Sequence, residues 1–259
     1  MKHILFTYLR FLSQSKNEHG VHSPFVFNLV TKCFYDKKNY AEYSILKNYR
    51  KSLLENYNAI EVTDFGAGSK VFKSNIRAIN QIAKNAGISR RRAELLFRIT
   101  NYFQPSSILE IGTSLGLATS ALSLGNKNST IRTLEGCPNT LAEARANSKR
   151  FNLNNINWVE TEFYSYLKTD NRQPTTINLI YFDGNHSKKA TLDYFELLLP
   201  TITNETAWIF DDIHWSTDMD EAWGIIQNHP KVTVTIDTFQ WGIVFFREEQ
   251  EKEHFVIRT

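Results

Sequence analysis

The chain predicts an α/β fold: a doubly wound sheet of parallel strands ending in an antiparallel hairpin, preceded by a mostly helical N-terminal region. Three observations predict it. Ile-Leu-Glu-Ile at 108–111 reads as a short buried strand, and Gly112-Thr-Ser-Leu-Gly116 turns it sharply into a helix beginning near Leu115. From Ser106 onward, strand and helix patterns alternate with short connections, which requires crossover helices on both faces of a parallel sheet. The last two strand patterns are only a few residues apart, a connection that permits antiparallel pairing alone.

The elements follow in order. Ile4, Leu5, Tyr8, Leu9 and Leu12 fall on one face of a first helix, a stripe expected to pack on the core or on a second copy of the chain in a homo-oligomer. His22-Ser23-Pro24 opens the next helix, with Ser23 as N-cap and Pro24 in the first turn. The chain divides near Gln104-Pro105, giving a helical cap or lid over 1–104 and an α/β domain over 105–259. Strands are expected at 108–111, 130–135, 156–160, 177–182 and 207–210, with helices over 140–151 and 188–199 between them. Pro138 and Asn139 mark the start of the first of these helices. A helix near 219–228 then leads to the hairpin strands 232–237 and 242–246.

Composition fits one substantial core with a smaller appendage: 259 residues, 42% hydrophobic and 13% aromatic. Cys33 and Cys137 are the only cysteines and form no CxxC pair, which points to a reducing compartment, the cytoplasm. The apolar start is broken by Arg10 and lacks a small-residue cleavage site, so neither a signal peptide nor a transmembrane segment is expected. A net charge of +3 hides an asymmetry. Residues 1–100 hold 17 Lys and Arg against 7 Asp and Glu, whereas residues 101–259 hold 13 against 20. No basic residues interleave with aromatics in a recognition pattern, so nucleic acid is not the expected partner.

The glycine spacing selects the cofactor. A dinucleotide fold wants G-x-G-x-x-G, but here Ser114 stands two residues after Gly112 and only Gly116 recurs. The pattern Glu110-x-Gly112-x-x-x-Gly116, with Glu135 ending the next strand, resembles the S-adenosylmethionine site of class I methyltransferases. That resemblance spans about residues 106–247 and implies a Rossmann-like seven-stranded sheet of five parallel strands plus the hairpin. It implies that Glu110 orients the methionine amino group and that Gly112 and Gly116 allow close approach. Thr113 and Ser114 would then offer N–H groups and hydroxyls to the carboxylate, and Glu135 would accept both ribose hydroxyls. Thr161, Glu162 and Phe163 fall where the family contacts adenine. A second motif, Val62-Thr-Asp-Phe-Gly-Ala-Gly-Ser-Lys70, has Val71 in place of a third glycine and no acid-ended strand after it, and reads as a loop of the cap.

Asp183-Gly-Asn-His186 follows the fourth strand and Asp211-Asp212-Ile-His214 the fifth, at the carboxyl ends where such sheets bind ligands. Three converging carboxylates repel one another unless a cation or proton is shared, and Mg²⁺ held by Asp183, Asp211 and Asp212 would resolve this. The arrangement is similar to metal-dependent O-methyltransferases of the catechol and macrocin types. A histidine, His186, stands where the catechol type has its lysine base, which looks closer to the sugar-modifying branch, with Asp183 and His186 as the catalytic pair. His214 is expected to line the pocket at most. No [Asp/Asn]-Pro-Pro-aromatic motif follows Asp183, which disfavours methylation of a base amino group. The leading expectation is metal-assisted O-methylation of a small or sugar-like hydroxyl. Two alternatives stay open: methylation of RNA or protein, suggested by the basic N-terminal region, and a non-catalytic S-adenosylmethionine-binding protein.

Overall fold

The computed structural model describes residues 2–63, 74–170 and 176–259. The glycine motif at 62–70 lies outside them from Asp64 onward. Among the described residues the chain begins with α1 (Lys2–Gln14), α2 (Pro24–Leu29) and a π-helical turn over Val30–Phe34. Next come α3 (Glu42–Leu54), the short strands β1 (Ala59–Glu61) and β2 (Ile76–Ala78), α4 (Ile79–Asn85) and α5 (Arg90–Phe103). The alternating part runs β3 (Ser107–Ile111), α6 (Leu117–Gly125), β4 (Thr130–Glu135), α7 (Pro138–Arg150) and β5 (Ile156–Glu160). It continues with α8 (Phe163–Asp170), β6 (Leu179–Phe182), α9 (Lys188–Leu198), β7 (Ala207–Asp211) and α10 (Thr217–Asn228). The chain ends with β8 (Val234–Asp237), β9 (Trp241–Phe245) and β10 (Glu253–Val256).

Two compact units result, Asp36–Phe163 on one hand and Met1–Tyr35 with Tyr164–Thr259 on the other; the 104/105 junction falls inside the first. Within Asp36–Phe163, β1 and β2 form a separate antiparallel pair, and β3-β4-β5 lie in that order, all parallel. In the other unit the order is β10-β8-β9-β7-β6, with β9 antiparallel to both neighbours. The antiparallel hairpin is therefore present as β8 and β9. The expected seven strands become eight, because β10 adds a parallel edge strand to β8. Its sequence, Glu-His-Phe-Val, buries only Phe255 fully, so it carries too little apolar signal to be read as a strand.

Serines start the helices. Ser23, Ser89, Ser187 and Ser216 each accept the N–H three residues on, satisfying a donor that the helix itself leaves open. Strands β6 to β9 are buried along their whole length, as strands covered on both faces must be. Phe182 stacks on Phe210 at 4.1 Å between centroids, and Phe195 meets Trp208 edge-on at 5.4 Å. The first helix departs from expectation. Leu5 and Leu9 are exposed, while Tyr8 and Phe11 pack on Phe239 at 4.8 and 5.5 Å, so the aromatic contact and not the aliphatic stripe sets the rotation of α1. Among the described residues, no helix is long and apolar enough to cross a membrane.

Gly242 in β9 is fixed by packing. A Cβ there would lie 2.5 Å from the Trp223 ring of α10. Gly242→Ala is expected to lower unfolding free energy by about 1–3 kcal/mol in urea titration. An unchanged midpoint would show that the indole yields at no cost.

Candidate active site

The glycine turn lies within the unit Asp36–Phe163. Gly112, Ser114 and Gly116 all take positive φ, +100°, +48° and +75°. Two of the three are glycine, which alone adopts this backbone freely, and Ser114 is held there at some cost in strain. The Gly112 and Thr113 N–H groups both donate to the Leu134 carbonyl, at 3.0 and 3.1 Å, tying the turn to the end of β4. Gly116 is required twice over, since a Cβ there would also lie 2.5 Å from the Tyr49 hydroxyl.

Glu135 ends β4 as expected, and its carboxylate is already oriented. Oε2 accepts the Ser114 N–H at 2.8 Å and Oε1 accepts the Cys137 N–H at 2.9 Å. Glu110 is placed differently from the role implied by resemblance. It is fully buried, and its Oε2 accepts hydroxyls from Thr119 at 2.6 Å and Thr133 at 2.5 Å. Thr113 is buried too, its hydroxyl 2.5 Å from that of Thr133, so the side chain belongs to this interior network while the backbone forms the turn. Thr161 donates its N–H to the Glu135 carbonyl at 2.9 Å, which brings the 161–163 segment beside the end of β4. Glu162 is exposed, and Phe163 is half-buried at the start of α8.

The second cluster lies in the other unit, at the carboxyl ends of β6 and β7. His186 Nε2 stands 3.5 Å from Asp183 Oδ1. Burial opposes the charged ring, but Asp183, then Asp212 and Asp211, outweigh it and hold the His186 pKa up at about 9. Asp211 is buried, its Oδ2 accepting the Tyr181 hydroxyl at 3.0 Å and its Oδ1 accepting the Asp212 N–H at 2.8 Å. Asp212 takes a left-handed backbone, φ +52°, in a turn closed by the Trp215 N–H on its carbonyl at 2.9 Å.

The expected Mg²⁺ site of Asp183, Asp211 and Asp212 is not assembled. Among the described residues, no group of three or more His, Cys, Asp or Glu side chains is placed to hold a metal ion. The charge of His186 relieves the repulsion that a cation was expected to relieve. As placed, the three carboxylates do not form a donor set for the ion.

His214 leaves the cluster altogether. Its Nδ1 pairs with Asp220 of α10, and its Nε2 lies 2.8 Å from Asp237 Oδ2 at the end of β8. His3 of α1 stands 3.0 Å from the second Asp220 oxygen. Burial opposes the charge on His214, but Asp220 and Asp237 overcome it and push its pKa up to about 9. Sequence reasoning also missed Tyr49 and Tyr181, which act from other elements and leave no local signal.

Residues 109–213 match the family model described as a methyltransferase domain. No curated protein matches the chain. Solved structures do. An S-adenosylhomocysteine-bound methyltransferase from Podospora anserina is 14% identical with a TM-score of 0.59, covering 88% of this chain and 97% of that one. An O-methyltransferase from Bacillus cereus, in complex with S-adenosylhomocysteine, is 16% identical with a TM-score of 0.54 over 82% and 94%. An S-adenosylmethionine complex of the Streptomyces achromogenes O-methyltransferase TomG is 13% identical with a TM-score of 0.58 over 81% and 91%. At these identities the likeness establishes the fold alone, the Rossmann-like fold of these solved methyltransferases.

The His214 cluster has a pH signature. A folded pKa near 9, above the ordinary 6.5, means its stabilisation is full below about pH 6.5 and fades as pH rises through about 9. His214→Ala leaves Asp220 and Asp237 without their shared cation, and is expected to cost on the order of 3 kcal/mol at pH 6. The loss should shrink toward pH 9.5, as measured by urea unfolding across pH. A variant whose deficit is the same at both pH values would show that the imidazole is not charged.

Proposed function

We propose that the chain transfers the methyl group of S-adenosylmethionine to a hydroxyl of a small or sugar-like acceptor. The observation that carries the cofactor part is the Glu135 carboxylate, pinned through one N–H on each oxygen. Each carboxylate oxygen accepts more than one hydrogen bond, so both keep capacity for the vicinal hydroxyls of a ribose. The turn at 112–116 supports the same reading: its positive φ values direct the Ser114 N–H onto the Glu135 carboxylate and so place that group at the end of β4. When bound, the cofactor supplies an electrophilic methyl group on a sulfonium. The cytoplasm suits these chemistries, and Cys33 and Cys137 are buried and not joined in a disulfide.

The acceptor part rests on Asp183 and His186. Methyl transfer needs the hydroxyl to lose its proton as the new bond forms. The other ring nitrogen of His186, Nδ1, takes that proton, and Asp183 at Nε2 stabilises the imidazolium that results. With a pKa of about 9 the ring is mostly protonated at neutrality, so the basic form grows as pH rises. Mg²⁺ is left out of this reading, because the described residues bring no set of three such donors together to hold it.

Two outcomes test the proposal. Titration calorimetry should show S-adenosylhomocysteine binding, with Glu135→Ala weakening it by about 1.5–3 kcal/mol through loss of charge-assisted hydrogen bonds; NAD binding in its place would overturn the cofactor. Methyl transfer assayed on a panel of sugars and phenols should rise with pH toward about 9, and His186→Ala should lower kcat by about 10²–10⁴-fold. Turnover should persist after exhaustive chelation, and a loss restored by Mg²⁺ would bring the ion back.

A further inference from the structure

We propose that Tyr49, on helix α3, is a positioning residue that sets the affinity of the glycine turn for S-adenosylmethionine; this rests on the cofactor reading above. The helix aims it by simple periodicity. Leu46, Tyr49 and Leu53 are its buried residues, spaced three and four apart on one face. The ring is fully buried and packs against Phe151 with centroids 5.3 Å apart. The hydroxyl donates to the Leu115 carbonyl at 3.0 Å, with the Ser148 hydroxyl 3.3 Å away. Burial pushes its pKa up to about 12, so it stays a neutral donor throughout the working range.

That hydrogen bond falls on one particular peptide unit. The Leu115 carbonyl and the Gly116 N–H belong to the same planar group. Tyr49 holds its oxygen, while its N–H donates to the Thr113 carbonyl at 2.9 Å. The peptide is therefore clamped at both ends, and the tyrosine hydroxyl fills the space that a Cβ on Gly116 would take. One residue earlier, the Ser114 N–H points to Glu135 at 2.8 Å. Holding the 115–116 peptide in place thus holds Ser114, and through it the carboxylate that grips the ribose. The rest of α3 is anchored independently of the turn, through the Ser52 hydroxyl on Asn147 Oδ1 at 2.9 Å.

Tyr49→Phe tests this, since it keeps the ring and removes only the hydroxyl. Ser52→Ala is the comparison: it loosens the same helix without touching the turn. Titration of each full-length protein with S-adenosylhomocysteine, alongside its thermal midpoint, separates positioning from packing. Tyr49→Phe is expected to weaken binding about tenfold, the scale of one lost buried hydrogen bond, while Ser52→Ala stays within about twofold of the wild type at a comparable thermal midpoint. Affinity that falls only in step with the midpoint in both variants, or is unchanged in Tyr49→Phe, overturns the role of Tyr49 and leaves the cofactor reading standing. Failure of the wild-type protein to bind S-adenosylhomocysteine overturns both, and is told apart from the first result by the wild-type titration alone.

Discussion

A buried carboxyl group organises the glycine turn. Glu110 has no access to solvent, and a carboxylate in that position is tolerable only with donors close at hand. Two arrive from different elements, Thr119 from α6 and Thr133 from β4. Satisfying the one group therefore fixes both the angle at which α6 leaves the sheet and the alignment of β3 with β4. The positive φ values of the turn, the two N–H groups on the Leu134 carbonyl and the reach of Ser114 to Glu135 all sit on this foundation. Glu110 thus shapes the glycine turn from below the surface.

What could be read from the sequence was what is local. The glycine turn, the acid closing the next strand and the short hairpin are patterns within a few residues, governed by backbone sterics and by the period of a strand. Tyr49 could not be found in that way, because 66 residues separate it from the carbonyl it holds. Tyr181 meets Asp211 only once β6 and β7 are in register. The charged cluster was anticipated as a metal site because three acids at strand ends look alike in sequence. Whether they converge depends on partners that no spacing reveals. The edge strand β10 escaped notice for the opposite reason: it has so little to bury.

The two histidines beyond the strand ends show how similar proton affinity can serve unlike ends. Both are held near a pKa of 9 by aspartates. His214 has a carboxylate on each ring nitrogen, which leaves it no position from which to act on anything else. His186 meets a single aspartate through Nε2, and its side chain keeps about a quarter of its surface open. Geometry, more than basicity, separates a residue that holds elements together from one able to exchange a proton.

The threonine network around Glu110 also limits how this sequence can drift. Threonine and valine have nearly the same shape, and in an ordinary core one can replace the other with modest effect once the hydroxyl's partners are accounted for. Here Thr119 and Thr133 converge on one carboxylate oxygen, and Thr113 leans on Thr133. A valine at either of the first two positions removes a partner from a buried carboxyl oxygen, and a leucine at Glu110 strands two hydroxyls instead. Each single step is worse than either end state, so the four positions form a block that is most easily exchanged together.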